Sequence, residues 1–229
     1  MKHSNYIQIA LADDHTMVRN GLKSLLEATG HYKVSVEAES GLELFNKLKA
    51  AKSLPDICII DLQMKPLNGY ETILLIKKKW PQLKIIVLSQ HEHELLISKL
   101  LHAGAGSYLA KTTSVTTLIE AISSVLKKEV YYTDTVTQIL LKQSKNKTDT
   151  LAITDKELQF LCLCCSDLTQ KEIAQKMNVQ TRTVDNYRDS LFNKLNKHSR
   201  TGLAVYTTTT GLINLSVEYL LSSGLLDSI

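Results

Sequence analysis

The 229-residue sequence predicts an α/β domain, a doubly wound five-stranded parallel sheet, followed by a small all-α domain of four helices that includes a helix-turn-helix. Three observations carry this prediction. Short apolar runs alternate with longer amphipathic ones from Tyr6 to Leu126. The alternation stops past Lys128. From Leu151 onward the pattern is helical and carries two capping-box signatures.

The strands are expected at IQIAL (7–11), YKVSVEA (32–38), DICII (56–60), KIIVLS (84–89) and SYLA (107–110). The third is a continuous apolar run, as a parallel strand covered on both faces requires. Helices are expected at 15–28, 41–51, 69–79, 92–101 and 115–126. In the first of them Val18, Leu22, Leu25 and Leu26 recur at helical spacing, which leaves Arg19 and Lys23 for solvent. Residues 131–141 fit a short helix or an extended arm, and the polar KQSKNKTDT (142–150) reads as an exposed linker. Thr154 with Glu157, and Thr169 with Glu172, then mark two helix starts. A third helix begins near Thr181. Ile173, Ala174, Met177, Val179, Val184, Leu191 and Leu195 can form one small core across the turn at 177–180. The expected organisation is therefore 1–128, a linker over 129–150, 151–216, and a tail over 217–229. The tail's Val217, Leu220, Leu221, Leu225 and Leu226 suit a packed helix.

Composition narrows the class. A hydrophobic content of 44% supports a real core, and no apolar run approaches the ~20 residues that span a bilayer, so a cytoplasmic protein is expected. The four cysteines form no secreted-scaffold pattern. Cys162, Cys164 and Cys165 lie among Phe160, Leu161 and Leu163 and read as buried small hydrophobes. The formal charge of +4 permits a polyanionic partner without arguing for one.

The third strand ends on Asp61, where an unpaired buried carboxylate would be costly. In an open parallel sheet, ligands bind outside the carboxyl ends of the strands. That edge gathers Asp13 and Asp14 after the first strand, Asp61 on the third, Ser89 on the fourth and Lys111 after the fifth. Capping of the following helix accounts for one such carboxylate, not for five groups at corresponding strand ends. Hard oxygen ligands suit Mg²⁺. With charge drawn off by metal and lysine, Asp61 can attack phosphorus and form an acyl phosphate.

Asp13, Asp14, Asp61, Ser89, Tyr108 and Lys111, in this order and spacing, resemble the receiver domain of two-component response regulators, which has a flavodoxin-like fold. The resemblance implies that Asp61 is the phosphoacceptor and that Asp13, Asp14 and Asp61 hold Mg²⁺ with the backbone carbonyl of Gln63. It further implies that Lys111 pairs with phosphoryl oxygens, that Ser89 and Tyr108 form the switch, and that Gln63 and His91 modulate acyl phosphate hydrolysis. His91 and His93, two positions apart, point away from each other on a helix and read as a solvated loop or helix start rather than a metal site. Two departures stand out. Lys65 occupies the place before Pro66 where the family often has proline, with Gly69 keeping the loop length. Thr112 follows Lys111 where many receivers place a cis proline, so that bond is either trans or strained.

The C-terminal segment resembles the four-helix DNA-binding domain of the LuxR/NarL class through Thr154, Glu157, KEIA (171–174), TRTVDNYR (181–188), KL (194–195) and SR (199–200). A recognition helix in the major groove would present Arg182, Thr183, Asp185, Asn186 and Asp189 to bases, while Lys171, Arg188, Lys194, Lys197 and Arg200 face phosphates. Asp185 and Asp189 would repel phosphates but can accept from cytosine. The resemblance implies a regulator rather than an enzyme, fed by a sensor histidine kinase, dimeric when phosphorylated and bound to double-stranded DNA. Two other readings are weaker. An aspartyl-phosphate phosphatase needs a second Asp where Gln63 stands. A phosphorylation-independent receiver-like sensor with DNA-binding output leaves the acidic cluster without a purpose.

Overall fold

The computed structural model describes residues 6–145, 153–217 and Ser223. Five parallel strands, β1 (Ile7–Ala12), β2 (Tyr32–Ala38), β3 (Ile57–Asp61), β4 (Lys84–Ser89) and β5 (Ser107–Ala110), pair in the order β2-β1-β3-β4-β5. The interleaved helices are α1 (Thr16–Glu27), α2 (Gly41–Ala50), α3 (Gly69–Lys79), α4 (Glu94–His102) and α5 (Val115–Lys128). Strand order reverses between β1 and β3, so the crevice at their carboxyl ends is the expected ligand position.

Every residue of β3 is buried because the sheet is covered on both faces. Ala10, Cys58, Ile60, Ile85 and Val87 pack with α2, α3 and α4 on one side. Ile9, Ile57, Ile59, Ile86 and Leu88 pack with Leu26, Leu118, Ile122 and Val125 on the other. Side chains alternate across a strand, so a continuous apolar run serves both layers. Gly69 opens α3 where a side chain would collide with the Asp61 carbonyl oxygen, 2.4 Å from an added Cβ.

The first helix departs from expectation. Arg19 is buried rather than solvated: its guanidinium donates to the Asp13 carbonyl (2.6 Å) and pairs with Glu39 (2.8 Å), tying the β1–α1 loop to β2. Val18 and Leu25, expected inside, are exposed, and Leu26 and Leu22 alone supply the apolar stripe. Lys23 pairs with Glu37 at 2.5 Å on the surface. Among the described residues the one cis peptide is Lys65–Pro66, so Lys111–Thr112 is trans.

The stretch between the two expected domains contains α6 (Asp134–Lys145), whose Val136 and Ile139 are buried beside α4. Residues 146–152 and the tail leucines Leu220, Leu221, Leu225 and Leu226 lie outside the described residues. The C-terminal domain comprises α7 (Asp155–Leu163), α8 (Gln170–Lys176), α9 (Thr181–Leu195), α10 (Arg200–Thr209) and a 3-10 turn over Leu212–Leu215. Both expected capping boxes form, and Ile173, Ala174, Met177, Val184 and Leu191 are buried, with Val179 and Leu195 packed against them. Cys162 and Cys164 are buried thiols.

Glu157 does more than cap. Buried itself, it accepts from Lys194 Nζ at 2.8 Å on both oxygens and from Ser190 Oγ at 2.5 Å. Burial works against its charge, but Lys194, Ser190 and Thr154 together override that and hold the carboxyl at about 2. Because the folded value lies below the ordinary one near 4.5, its contribution is complete above that pH and is lost as pH falls toward 2. Glu157→Gln should cost about 2–3 kcal/mol, below the 3–5 of a fully buried broken pair because Lys194 is partly exposed. Acid titration of the melting temperature checks it: the wild-type advantage should vanish between pH 4.5 and 2.

Candidate functional site

The carboxyl edge of the sheet brings together the groups that the sequence placed there. Asp61 ends β3, Ser89 ends β4, and Asp13 and Asp14 follow β1 directly. Lys111, one residue past β5, reaches across the crevice to Asp13 Oδ2 (2.8 Å) and Asp61 Oδ2 (2.9 Å). Asp13 and Asp61 are each 1% exposed, while Asp14 is open to solvent. Two buried carboxylates thus share one ammonium, which leaves an excess of negative charge beside the half-open Asp14.

The electrostatics follow from that count. Burial raises the Asp61 carboxyl above its usual range, and Asp13 adds to the rise; Lys111 and the Gln63 backbone N–H oppose it. The Lys111 ammonium is raised despite partial burial, because Asp13 and Asp61 both hold it charged. His15 sits on the same cluster, with Nδ1 at 2.8 Å from Asp14 and 3.2 Å from Asp13. Ligand atoms of Asp13, Asp14, His15 and Asp61 lie within 4.8 Å of one another. A cluster of mostly carboxylate oxygens with surplus charge fits a hard divalent cation.

Ser89 is fully buried and its Oγ accepts from the His91 N–H at 3.1 Å. Tyr108, on β5, is 2% exposed; its hydroxyl is buried without a hydrogen bond of standard geometry, and burial pushes it up to about 12. Gln63 and His91, two residues beyond Asp61 and Ser89, meet through Gln63 Nε2 and His91 Nε2 at 3.1 Å. His91 and His93 are half-buried, and the helix-start reading holds for His93. His93 caps α4 and its Nε2 meets Tyr206 Oη at 3.0 Å.

On the second domain, the structure divides the expected DNA contacts. Lys171, Arg182, Asn186 and Asp189 are exposed, and Thr183 is half-buried at the start of α9. Asp185 accepts from Gln170 Nε2 (2.8 Å) and pairs with Arg188 (2.9 Å), which also pairs with Asp189 (2.9 Å). One guanidinium therefore serves both carboxylates, which pairs Asp185 and Asp189 locally but leaves a net negative charge between them. Lys197 lies half-buried with Nζ 5.9 Å from the Tyr206 ring centroid. Lys194 and Arg200, expected at phosphates, are engaged inside the domain. Lys194 holds Glu157. Arg200 donates to the carbonyls of Leu168 (2.5 Å), Ser166 (2.6 Å), Cys164 (3.4 Å) and Leu163 (3.5 Å), which closes the C-terminal end of α7.

Sequence reasoning missed His15 and Arg19. His15 was signalled only by its place after two aspartates. Arg19 carries no local sign, since its acceptors lie outside its own helix.

Comparison with known proteins gives a family for each of the two domains. Residues 9–123 match the family model of the response regulator receiver domain, and residues 151–207 match that of bacterial regulatory proteins of the luxR family. The chain is 31% identical to the nitrate/nitrite response regulator protein homolog of Haemophilus influenzae over 87% of its length and 95% of that protein's. It is 30% identical to the transcriptional regulatory protein LnrK of Bacillus subtilis, covering 90% of this chain and 98% of that one. Among solved structures, RcsB of Salmonella enterica serovar Typhimurium, bound to promoter rprA in the presence of phosphomimetic BeF3-, superposes with a TM-score of 0.66 at 27% identity, covering 89% and 99%.

Proposed function

Because the chain belongs to the response regulators that join a receiver domain to a LuxR-type DNA-binding domain, and so to the transcription regulators, we propose that Asp61 is its phosphoacceptor. The observation that carries this reading is the buried Asp13–Lys111–Asp61 cluster at the strand-order reversal. An Asp61 carboxylate oxygen forms a bond to phosphorus while the donor's leaving atom, the ring nitrogen of a phosphohistidine or the oxygen of a small acyl phosphate, departs with its bonding pair. Lys111, already between the two carboxylates, turns its ammonium to the incoming phosphoryl oxygens. The Ser89 hydroxyl gives up the His91 N–H and donates to one of those oxygens, and Tyr108 follows on the neighbouring strand.

The donor set fits Mg²⁺, which Asp13, Asp14 and Asp61 would hold with the Gln63 carbonyl. When bound, the ion supplies charge neutralisation at the transferring phosphoryl group. His15 shields the same carboxylates. We further assign the phosphoryl source to a sensor histidine kinase, the site of action to the cytoplasm, and the DNA-bound form to a homodimer on paired half-sites. RcsB, to which this chain is similar, has been solved as two dimers bound to two parallel DNAs. No helix among the described residues is long and apolar enough to cross a membrane.

Intact mass after incubation with Mg²⁺ and a small acyl phosphate tests the acceptor. One added phosphoryl mass, confined to the peptide containing Asp61, is expected; its absence from folded protein refutes the reading. For the DNA face, exposed Lys171 and Arg182 are the proposed phosphate and base contacts, with Thr183 and Asn186 on the same helix as Arg182 and Lys197 beyond that helix's far end. Lys171→Ala should weaken binding evenly across sequences and lower the slope of log affinity against log salt by about 1. A slope equal to wild type removes Lys171 from the interface.

A further inference from the structure

The His15 ring does not serve its own helix. His15 stands at the start of α1, yet its side chain makes no capping hydrogen bond there. Its backbone N–H donates to Asp13 Oδ1 (2.8 Å), and ring Nδ1 lies 2.8 Å from Asp14 Oδ1 and 3.2 Å from Asp13 Oδ1. The buried carboxylates are held without the ring: Lys111 reaches both Asp13 and Asp61, and Asp13 Oδ1 already accepts the His15 N–H. Asp61 Oδ2, on a residue 1% exposed, has the Lys111 charge at 2.9 Å but no hydrogen bond of standard geometry. Neighbouring ligands of an octahedral ion stand about 3.0 Å apart when the bonds are about 2.1 Å long. The two distances from Nδ1 fall on either side of that spacing. Arg19 fixes the backbone that carries Asp13, Asp14 and His15 by donating to the Asp13 carbonyl (2.6 Å), as supporting groups of metal sites do.

We propose that His15 is a nitrogen ligand of the metal centre and that the centre therefore prefers Mn²⁺ to Mg²⁺, an inference that rests on Asp13, Asp14 and Asp61 being that centre. Mg²⁺ seeks oxygen and gives up its waters reluctantly, so an imidazole is a poor exchange for one of them. Mn²⁺ shares the liking for carboxylates but belongs to the first-row transition ions, which accept imidazole. In the ion-free protein the neutral ring holds its proton on Nδ1, toward the carboxylates. In the loaded protein the same ring carries that proton on Nε2 and gives the Nδ1 lone pair to the ion, so no net charge is gained or lost. One nitrogen among carboxylate oxygens thus changes which cation is preferred, while Asp61 and Lys111 keep their places.

The test uses the full chain with Mn²⁺ as the probe. Pulsed electron paramagnetic resonance of the bound ion should show the modulation of a directly bonded nitrogen, and labelling histidine alone with the heavier nitrogen isotope should change its pattern. His15→Ala should lose that signal and weaken Mn²⁺ binding about tenfold, the lower bound for removing a group that supports a metal site. Calorimetry should find Mg²⁺ binding by the same variant close to wild type. His91→Ala, which removes another imidazole near this edge, should keep both the signal and the Mn²⁺ affinity. The isotope experiment needs no substitution and decides the point where a variant does not fold. Bound Mn²⁺ without a nitrogen signal, a signal that survives His15→Ala, or equal losses for the two ions would overturn the ligand role and leave His15 a hydrogen-bonding neighbour of the carboxylates. Binding of neither ion to folded wild-type protein would instead remove the metal centre on which the proposed phosphoryl transfer relies.

Discussion

Asp61→Asn is expected to abolish phosphorylation completely while making the metal-free protein more stable. The two effects have one cause. Burial, reinforced by Asp13, disfavours the ionised carboxylate, and Lys111 and the Gln63 N–H do not fully compensate. An amide of the same shape can keep the contact with the Gln63 N–H without carrying that charge, but it cannot form an acyl phosphate. Because the folded value is raised, the penalty on wild type is complete above it and disappears once pH drops below the ordinary carboxylate range. In buffer without divalent ions near pH 8, the variant's melting temperature should exceed wild type by about 2–4 °C, the shift that 1 kcal/mol produces in a chain of this size. The gap should close below about pH 4 and shrink on addition of Mg²⁺, which stabilises the native state it binds. A variant that melts lower than wild type in metal-free buffer would show that Asp61 is a net structural ion-pair partner of Lys111 instead.

Arg200→Ala is expected to destabilise the C-terminal domain by about 3 kcal/mol, the upper end for hydrogen bonds made by a charged group. The carbonyls of Cys164, Ser166 and Leu168 beyond the end of α7 would lose the guanidinium, while that of Leu163 would keep the Ser166 N–H and hydroxyl as donors. Any loss of DNA binding should then track unfolding and disappear at low temperature, where the domain remains folded. Thermal melting followed by circular dichroism, paired with DNA titration at two temperatures, separates the cases. Reduced affinity with an unchanged melting curve would return Arg200 to the phosphate contacts.

That arginine shows where sequence reasoning ends. A basic residue at the start of a helix after a DNA-reading one has the same local appearance whether it faces a phosphate or a carbonyl. Lys194 presents the same ambiguity, and only its distance to Glu157, 37 residues earlier, resolves it. Arg19 lies at a position that helical spacing assigns to solvent, yet two acceptors outside its own helix draw it inward. His91 and His93 read as a solvated loop or helix start because nothing in their neighbourhood announces Gly211, which lies against the His91 ring, or Tyr206, which meets His93, both more than 100 residues away.

What the sequence determined by itself is whatever short-range physics writes into it. Period-two and period-3.6 apolar patterns set the strands and helices, Thr–Glu pairs set the helix starts at Thr154 and Thr169, and strand-end carboxylates mark the crevice because parallel strands all deliver their ends to one edge. The tertiary structure alone decided which cations are free and which are engaged, and how the second domain rests on the first. A charged side chain goes to the acceptors that best replace its water. Those acceptors are supplied by elements far apart in the chain, so the choice exists only after the fold has brought them within about 3 Å.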